Sequence, residues 1–127
     1  MADTTFTINK DTLEVSASCV LSAGPERVWQ AITDPAQIVQ WWGPGDITTK
    51  IQKNEVRVGG AWRYIQNAPD GSVHPFRGEY KEIDKPHKLV RTFEYEPIAG
   101  HIMTETFLLE PVEQGKTKIT TMATTLI

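Results

Sequence analysis

The sequence has little of what a disulfide scaffold, a membrane protein or a nucleic-acid-binding protein needs. Its single cysteine, Cys19, cannot form an internal disulfide. No apolar run approaches the roughly 18 residues of a membrane span, and 13 Lys and Arg residues are scattered among 16 Asp and Glu residues. We therefore expect neither a nucleic-acid nor a membrane partner. Met1 to Lys10 is polar and lacks the order of a secretory signal, which predicts a cytoplasmic protein.

The motifs of common catalytic and cofactor sites are also missing. There is no Ser-His-Asp order, and Val58-Gly59-Gly60 lacks the lysine and the following helix that a phosphate-binding loop needs. His74, His87 and His101 are not spaced from other ligand residues as in a metal site. We expect no metal and no cofactor, and an enzyme with a recognisable nucleophile is disfavoured.

The hydrophobic pattern predicts one α+β domain over residues 1–127, a length typical of a single domain. Alternating residues predict a strand from Leu13 to Leu21, with Cys19 as a small core residue. Two short helices follow, one beginning at Pro25 and one at Pro35, with Asp34 as the cap of the second. Turn signals then separate six strands in a meander: Ile47 to Lys53, Ala61 to Asn67, His74 to Ile83, His87 to Glu96, Ile102 to Glu110 and Lys116 to Thr125.

The tetrapeptide Trp41-Trp42-Gly43-Pro44 places two indoles directly before two helix breakers. Neighbouring side chains on a helix lie about 100° apart, so at most one of these rings can sit deep in a small core. The other lies at the edge of the core or lines a cavity. This predicts a pocket rim; the alternative is that both rings seal one end of the core.

Five segments, in consistent order, resemble the SRPBCC (START-like) superfamily, and within it the proteins related to the activator of heat-shock-protein-90 ATPase. They are Val28 to Pro35, Trp41 to Pro44, Gly59 to Arg63, Arg77 to Tyr80 and Leu89 to Phe93. The resemblance implies a helix-grip fold, in which a seven-stranded curved antiparallel sheet grips a long C-terminal helix around a ligand cavity. It implies a family that includes lipid carriers, cyclases and co-chaperones of the stress response.

After the last predicted strand, no helical periodicity is left to supply the long C-terminal helix that the resemblance implies. Bare apolar sheet would form a patch larger than the few hundred Å² that monomers tolerate. A partner subunit, a rearranged terminus or a ligand could cover it, or the chain is a truncated product. We expect a homodimer in which the concave faces, or an exchanged terminus, cover each other.

Strand alternation, with the registers that the resemblance suggests, places a mainly aromatic set on the concave face. Such a set is typical of a site for an apolar small molecule, although the same residues could fill a closed core. With the two tryptophans of the rim, the predicted ligand-binding residues are Trp41, Trp42, Trp62, Tyr64, His74, Phe76, Tyr80, Arg91, Phe93, Tyr95, Met103, Glu105 and Phe107.

Arg91 and Glu105 form the sharpest polar pair of this set. Both point inward on sequential strands, so they could form a cross-strand ion pair. In that case Arg91 anchors a ligand carbonyl or carboxylate, and Glu105 orients the ligand or acts as a base. If a strand slips by one residue, both charges face water instead.

Three functions are compatible with these observations. The first is non-catalytic binding of an apolar small molecule, lipid-like or polycyclic, in the concavity of the sheet. The second is a co-chaperone-like module that binds a chaperone or another protein through its exterior. The third is a cyclase- or hydrolase-like enzyme that uses Arg91, Glu105 or His74.

Overall fold

A computed structural model describes residues 5–9, 14–42 and 45–125, with side chains over 14–42 and 45–124. Leu13, at the start of the first predicted strand, the Gly43-Pro44 helix stop and the last two residues lie outside this part. The helices are α1 (Pro25–Thr33) and α2 (Pro35–Trp41), and short 3₁₀ turns occupy Glu96–Ile98 and Glu113–Gly115. The strands are β1 (Thr5–Asn9), β2 (Glu14–Leu21), β3 (Thr48–Asn54), β4 (Ala61–Asn67), β5 (Val73–Asp84), β6 (Lys88–Tyr95), β7 (Met103–Val112) and β8 (Lys116–Thr125).

The described strands form one antiparallel sheet in the order β1-β2-β8-β7-β6-β5-β4-β3. Strands β3 to β8 pair in sequence, as short turns require, and β2 joins β8 with Cys19 opposite Ile119. The predicted seven-stranded sheet with two helices after its first strand is confirmed. The edge strand β1 is an addition to it; it pairs with β2, and its five residues were read as part of a polar terminus.

Both helices follow from local signals. Pro25 begins α1, and the helix buries Val28, Trp29 and Ile32 along one face. Asp34 ends α1 and caps α2, because its carboxylate accepts a hydrogen bond from the amide of Ala36 at 3.1 Å. A single residue, Asp34, thus separates the two helices. Within the described part of the chain, no helix is long and apolar enough to cross a membrane.

The helices cover one half of the inner face of the sheet. Helix α1 packs on β7 and β8, and α2 packs on β3. Thr117 ties this end together, since its hydroxyl donates to the carbonyl of Ala23 at 2.6 Å. The buried cluster under the helices comprises Val28, Trp29, Ile32, Ile38, Trp62, Tyr64, Tyr80, Leu89, Phe107 and Leu109.

The other half of the inner face has no described element over it. Val15 on β2 shares this face with Ala123 and Glu105, because the three residues are register partners across β2, β8 and β7. The side chain of Val15 is 44% exposed. The sheet therefore has a filled half and an open half, and the candidate site lies where the two meet.

Gly78 on β5 leaves room for the indole of Trp62, a large buried side chain. Trp62 stands opposite Gly78 on β4, and its indole crosses β5 to donate to the carbonyl of Thr92 on β6 at 3.1 Å. A Cβ atom at Gly78 would lie 1.9 Å from that carbonyl oxygen and 2.5 Å from the indole nitrogen. No side chain fits in this space.

We predict that Gly78→Ala lowers the free energy of unfolding by about 3 kcal/mol, because the new methyl group must displace the Trp62 indole or the β6 backbone. Denaturation in urea measures the loss. Gly24→Ala is the matched control: its Cβ would come no nearer than 4.0 Å to the carbonyl oxygen of Gly115, so it should cost about 1 kcal/mol or less. Equal losses in the two variants would contradict the close approach.

Candidate functional site

Six of the predicted site residues form one continuous aromatic cluster on the inner face, namely Trp42, Trp62, Tyr64, Phe76, Phe93 and Tyr95. The ring of Trp42 meets those of Tyr64 and Phe76 edge to face, with centroids 5.0 Å apart in both pairs. Phe93 lies between Phe76, at 5.3 Å, and Trp62, at 5.8 Å. These separations are those of favourable ring contacts.

The deeper part of the predicted site is a closed core. Trp62, Tyr64 and Tyr80 are at most 1% exposed, and Phe107 is 6% exposed. For these residues the alternative stated above, a filled core, describes the structure. They support the site from below.

The cluster ends at an open hollow. It is a cavity of about 250 Å³ lined by Phe93, Tyr95 and Met103, with Ile98 and His101 on the far side. The three lining residues on β6 and β7 belong to the predicted set. Ile98 and His101 do not, because they lie in the connection between these strands, which strand alternation does not describe. The hollow is an open part of the concave face.

The two adjacent tryptophans separate as helical spacing requires. Trp42 joins the aromatic cluster, whereas Trp41 is 46% exposed and donates to the carbonyl of Ala31 at 2.7 Å. Trp41 therefore does not line the hollow, although it was predicted with the ligand-binding set. It borders a separate groove of about 420 Å³ with Leu21, Ala23, Arg27, Val28, Ala31, Gln37 and Gln40.

Arg91 and Glu105 are direct partners across β6 and β7. The Nε atom of Arg91 donates to Glu105 Oε1 at 2.7 Å, and Nη1 donates to the hydroxyl of Tyr64 at 3.1 Å. The guanidinium lies 4.3 Å from the ring centroid of Trp62, a cation–π distance. The two charges thus meet on the inner face, and the strand slip that would expose both to water does not occur.

The pair is unequal in its access to water. The side chain of Arg91 is 2% exposed and that of Glu105 is 24% exposed. Burial acts to lower the pKa of the Arg91 guanidinium, but the charge of Glu105 and the contacts with Tyr64 and Tyr80 outweigh it, and the net direction is upward. For the Tyr80 hydroxyl, which donates to Asn54, burial acts in the other direction and raises the pKa. Arg91 is therefore a permanent cation enclosed in the core, and Glu105 is the member that reaches the open face.

His74 holds Tyr95 and does not line the hollow. Its Nδ1 atom lies 2.7 Å from the Tyr95 hydroxyl, and its Nε2 atom lies 3.0 Å from Oγ of Ser72. The Ser72 hydroxyl in turn donates to Asp70 at 2.6 Å, a bond that lowers the pKa of that carboxyl. The Ser72 hydroxyl thus donates to a carboxylate and not to His74. The hydrogen bonds that join Asp70, Ser72 and His74 to Tyr95 therefore support the Tyr95 ring.

Two ion pairs hold the connection that forms the far wall of the hollow. Arg63 grips Glu96 with two bonds, from Nε at 2.7 Å and from Nη2 at 3.1 Å. Glu94 accepts from Arg77 at 2.8 Å and from the backbone amide of Gly100 at 2.7 Å. The Gly100 amide, followed by Arg77, lowers the pKa of Glu94, and Arg63 lowers the pKa of Glu96. Sequence reading missed this network because its members lie on the outer face and in a turn.

We predict that acid weakens the fold through these carboxyls. Their folded pKa values lie below the unfolded value of about 4.3, so their contribution is complete above that pH and is lost as the pH falls through the folded values. In urea titrations, the difference in unfolding free energy between wild type and Glu94→Gln should therefore shrink on acidification. Glu110→Gln, at an exposed carboxyl of β7, is the control and should change the unfolding free energy little. A Glu94→Gln difference that does not change with pH would contradict the assignment.

The described residues contain no group of three or more His, Cys, Asp or Glu side chains that could hold a metal ion. Around the hollow itself, the described lining is an apolar wall with a tyrosine and a histidine at its edge.

A curved antiparallel sheet with two short helices over one half of its inner face is the architecture of the helix-grip fold, and solved structures share it. The family model described as Activator of Hsp90 ATPase homolog 1-like protein matches residues 22–126. The chain belongs to this family.

Solved structures agree with the assignment. A Mycobacterium smegmatis protein is similar over all of this chain and 80% of its own, with a TM-score of 0.87 and 22% identity. A Chromobacterium violaceum protein is 29% identical over 87% of this chain and 77% of its own, with a TM-score of 0.80. An HSP90 activator from Plasmodium falciparum shares the fold over 90% of this chain and 74% of its own, with a TM-score of 0.67 and 22% identity. No curated protein matches the sequence.

Proposed function

We propose that this protein is a non-catalytic binder of an apolar small molecule, lipid-like or polycyclic, which it holds in the hollow. The observation that carries the proposal is the hollow itself: Phe93, Ile98 and Met103 surround a space that opens beside a continuous aromatic cluster. Ligand sites are typically concave, mostly apolar and lined by aromatic side chains. At about 250 Å³, the space fits a small ligand, or part of a larger one whose remainder lies along the open face.

A carrier or sensor is favoured over an enzyme by the state of the reactive groups. Arg91 and Glu105 are bonded to each other, and His74 is placed between Ser72 and Tyr95. An acid or base in catalysis must reach a proton of the substrate. Arg91 is enclosed and His74 is engaged at both ring nitrogens, so only Glu105 of the three residues reaches the open face. The cyclase- or hydrolase-like alternative is therefore the weakest of the three. A cytoplasmic location stays a prediction.

Apolar ligands should change the tryptophan fluorescence, because the rings of Trp42 and Trp62 lie 6.4 Å and 5.8 Å from that of Phe93. Titration with polycyclic compounds and fatty alcohols measures the response. Ile98→Ala removes an exposed wall side chain at little structural cost and should weaken binding several-fold. Phe93→Ala should weaken it by about tenfold, or about 1.4 kcal/mol.

The matched control is Trp41→Phe, which removes an exposed indole outside the hollow and should leave the affinity unchanged. Equal affinities in wild type and in Ile98→Ala and Phe93→Ala would place any bound ligand elsewhere. A flat response across a broad panel of apolar compounds would count against the proposal and in favour of a protein-interaction module.

That second candidate rests on the groove beside Trp41. An exposed tryptophan, the Arg27 side chain and an apolar floor that includes Leu21 occur together there. Tryptophan and arginine are the residues most enriched at the centres of protein interfaces. A chaperone is the kind of partner that the family description suggests. Such a module would use the outside of the helices and would not need the hollow.

We also propose a homodimer that covers the open half of the inner face. Val15, Ala17 and Ala123 present half-buried or exposed apolar side chains there, beside Met103. A two-fold axis would place the same surface of a second copy against them, as most homodimers do. In that arrangement the second copy would also close the hollow from its open side.

Light scattering or sedimentation at micromolar concentration should give twice the monomer mass. Val15→Lys puts a charge on the proposed interface and should shift the protein to monomer. Val20→Lys is the control: Val20 is 38% exposed but lies on the opposite face of the same strand, so dimerisation should survive. A wild-type monomer at these concentrations, or equal effects of the two variants, would contradict the interface.

A further inference from the structure

The charged group that the core presents to the open face is a carboxylate. Glu105 gives one oxygen, Oε1, to the buried guanidinium of Arg91 at 2.7 Å. Its side chain is 24% exposed, whereas that of Arg91 is 2% exposed. Among the described residues, no hydrogen bond engages the other oxygen, Oε2. An ionised carboxylate accepts hydrogen bonds and donates none, so this oxygen offers an acceptor to whatever lies on the open face.

Glu105 stands directly beside the hollow. Phe93 and Met103, which line it, are cross-strand partners, and Arg91 and Glu105 are the next inward-facing pair along the same two strands. Successive residues on one face of a strand are about 6.6 Å apart. Ala123 is the partner of Glu105 on the other side. The acceptor oxygen therefore lies within the reach of a small ligand that occupies the hollow.

We propose that Glu105 selects the ligand by its head group: an apolar body that carries a hydrogen-bond donor, a hydroxyl or an ammonium, is bound, and a carboxylate is rejected. This inference rests on the proposed function and specifies its ligand class. A donor head satisfies Oε2, whereas a carboxylate head would bring a second negative charge to an acceptor-only group. Arg91 cannot compensate, because its guanidinium is enclosed by Trp62, Tyr64 and Phe107. This proposal differs from the expectation that Arg91 anchors a ligand carbonyl or carboxylate.

A series with one body and four heads tests the selection. Naphthalene, 2-naphthol, 2-naphthylmethylamine and 2-naphthoate are titrated into the wild-type protein by calorimetry at neutral pH and constant salt. The alcohol and the amine should each bind about tenfold tighter than the carboxylate, a difference of about 1.4 kcal/mol. The order of the alcohol and the amine then tells whether a neutral or a charged donor fits better.

Two variants locate the effect. Glu105→Gln removes the negative charge but keeps an amide oxygen for Arg91, and should reduce the discrimination to about threefold or less. Phe93→Ala should weaken all four probes and leave their ratios unchanged. Because Glu105→Gln leaves a buried cation without its counter-charge, it can lose the fold; the wild-type ranking then decides alone.

The outcomes separate the two proposals. Naphthoate that binds as tightly as naphthol overturns the selection by Glu105 while the apolar site stands. Failure of all four probes, naphthalene included, overturns the proposed function and the head-group inference with it. Preserved tenfold discrimination in a folded Glu105→Gln protein assigns the preference to another group and also overturns the inference.

Discussion

A positive charge without access to water is the constraint on which the rest of this structure depends. Arg91 is 2% exposed, and the fold surrounds it with a carboxylate, a phenol and the faces of three aromatic rings. Removing one partner of such a buried pair typically costs about 3–5 kcal/mol, because the other charge stays behind. The Arg91–Glu105 ion pair therefore fixes the register of β6 against β7, in addition to the apolar pattern of the two strands. A slip of one residue would separate Arg91 from Glu105.

The division of the inner face into two halves follows from the length of the helices. Asp34 and Pro35 break the chain into two helices of nine and seven residues, which cover one end of the sheet and leave the other open. Under the helices, Trp62 fills the space that Gly78 leaves and the aromatic side chains pack as a core. Phe93 and Tyr95 lie at the end of this aromatic cluster, and both line the hollow. The core and the candidate site therefore belong to one aromatic cluster, which the two helices cover only in part.

Two adjacent tryptophans connect this layer to a second surface. Since side chains at neighbouring helical positions diverge by about 100°, Trp42 enters the aromatic cluster and Trp41 lies in the outer groove. The proposed ligand-binding function would thus use the surface that contains Trp42, and the co-chaperone-like function would use the groove beside Trp41 at the same end of the helix. The fold alone does not choose between the two surfaces, because a function resides in the site and not in the architecture.

The order of strands and helices and the break at Asp34 were predictable from the sequence, because turn residues and a two-residue period act locally. Which alternate residues of β4 to β7 face inward came from the registers that the family resemblance implies. The strand Thr5–Asn9 was not, since its pairing depends on β2 and its own signal is five residues long. Which of the aromatic residues fill the core and which line the hollow depended on where the helices end and how the β6–β7 connection folds. The sequence by itself determined that Arg91 and Glu105 lie on sequential strands, and it left open whether both face inward or both face water. The tertiary structure decided that they meet on the inner face, with Arg91 enclosed and Glu105 partly exposed, because register and exposure depend on elements brought together from distant parts of the chain.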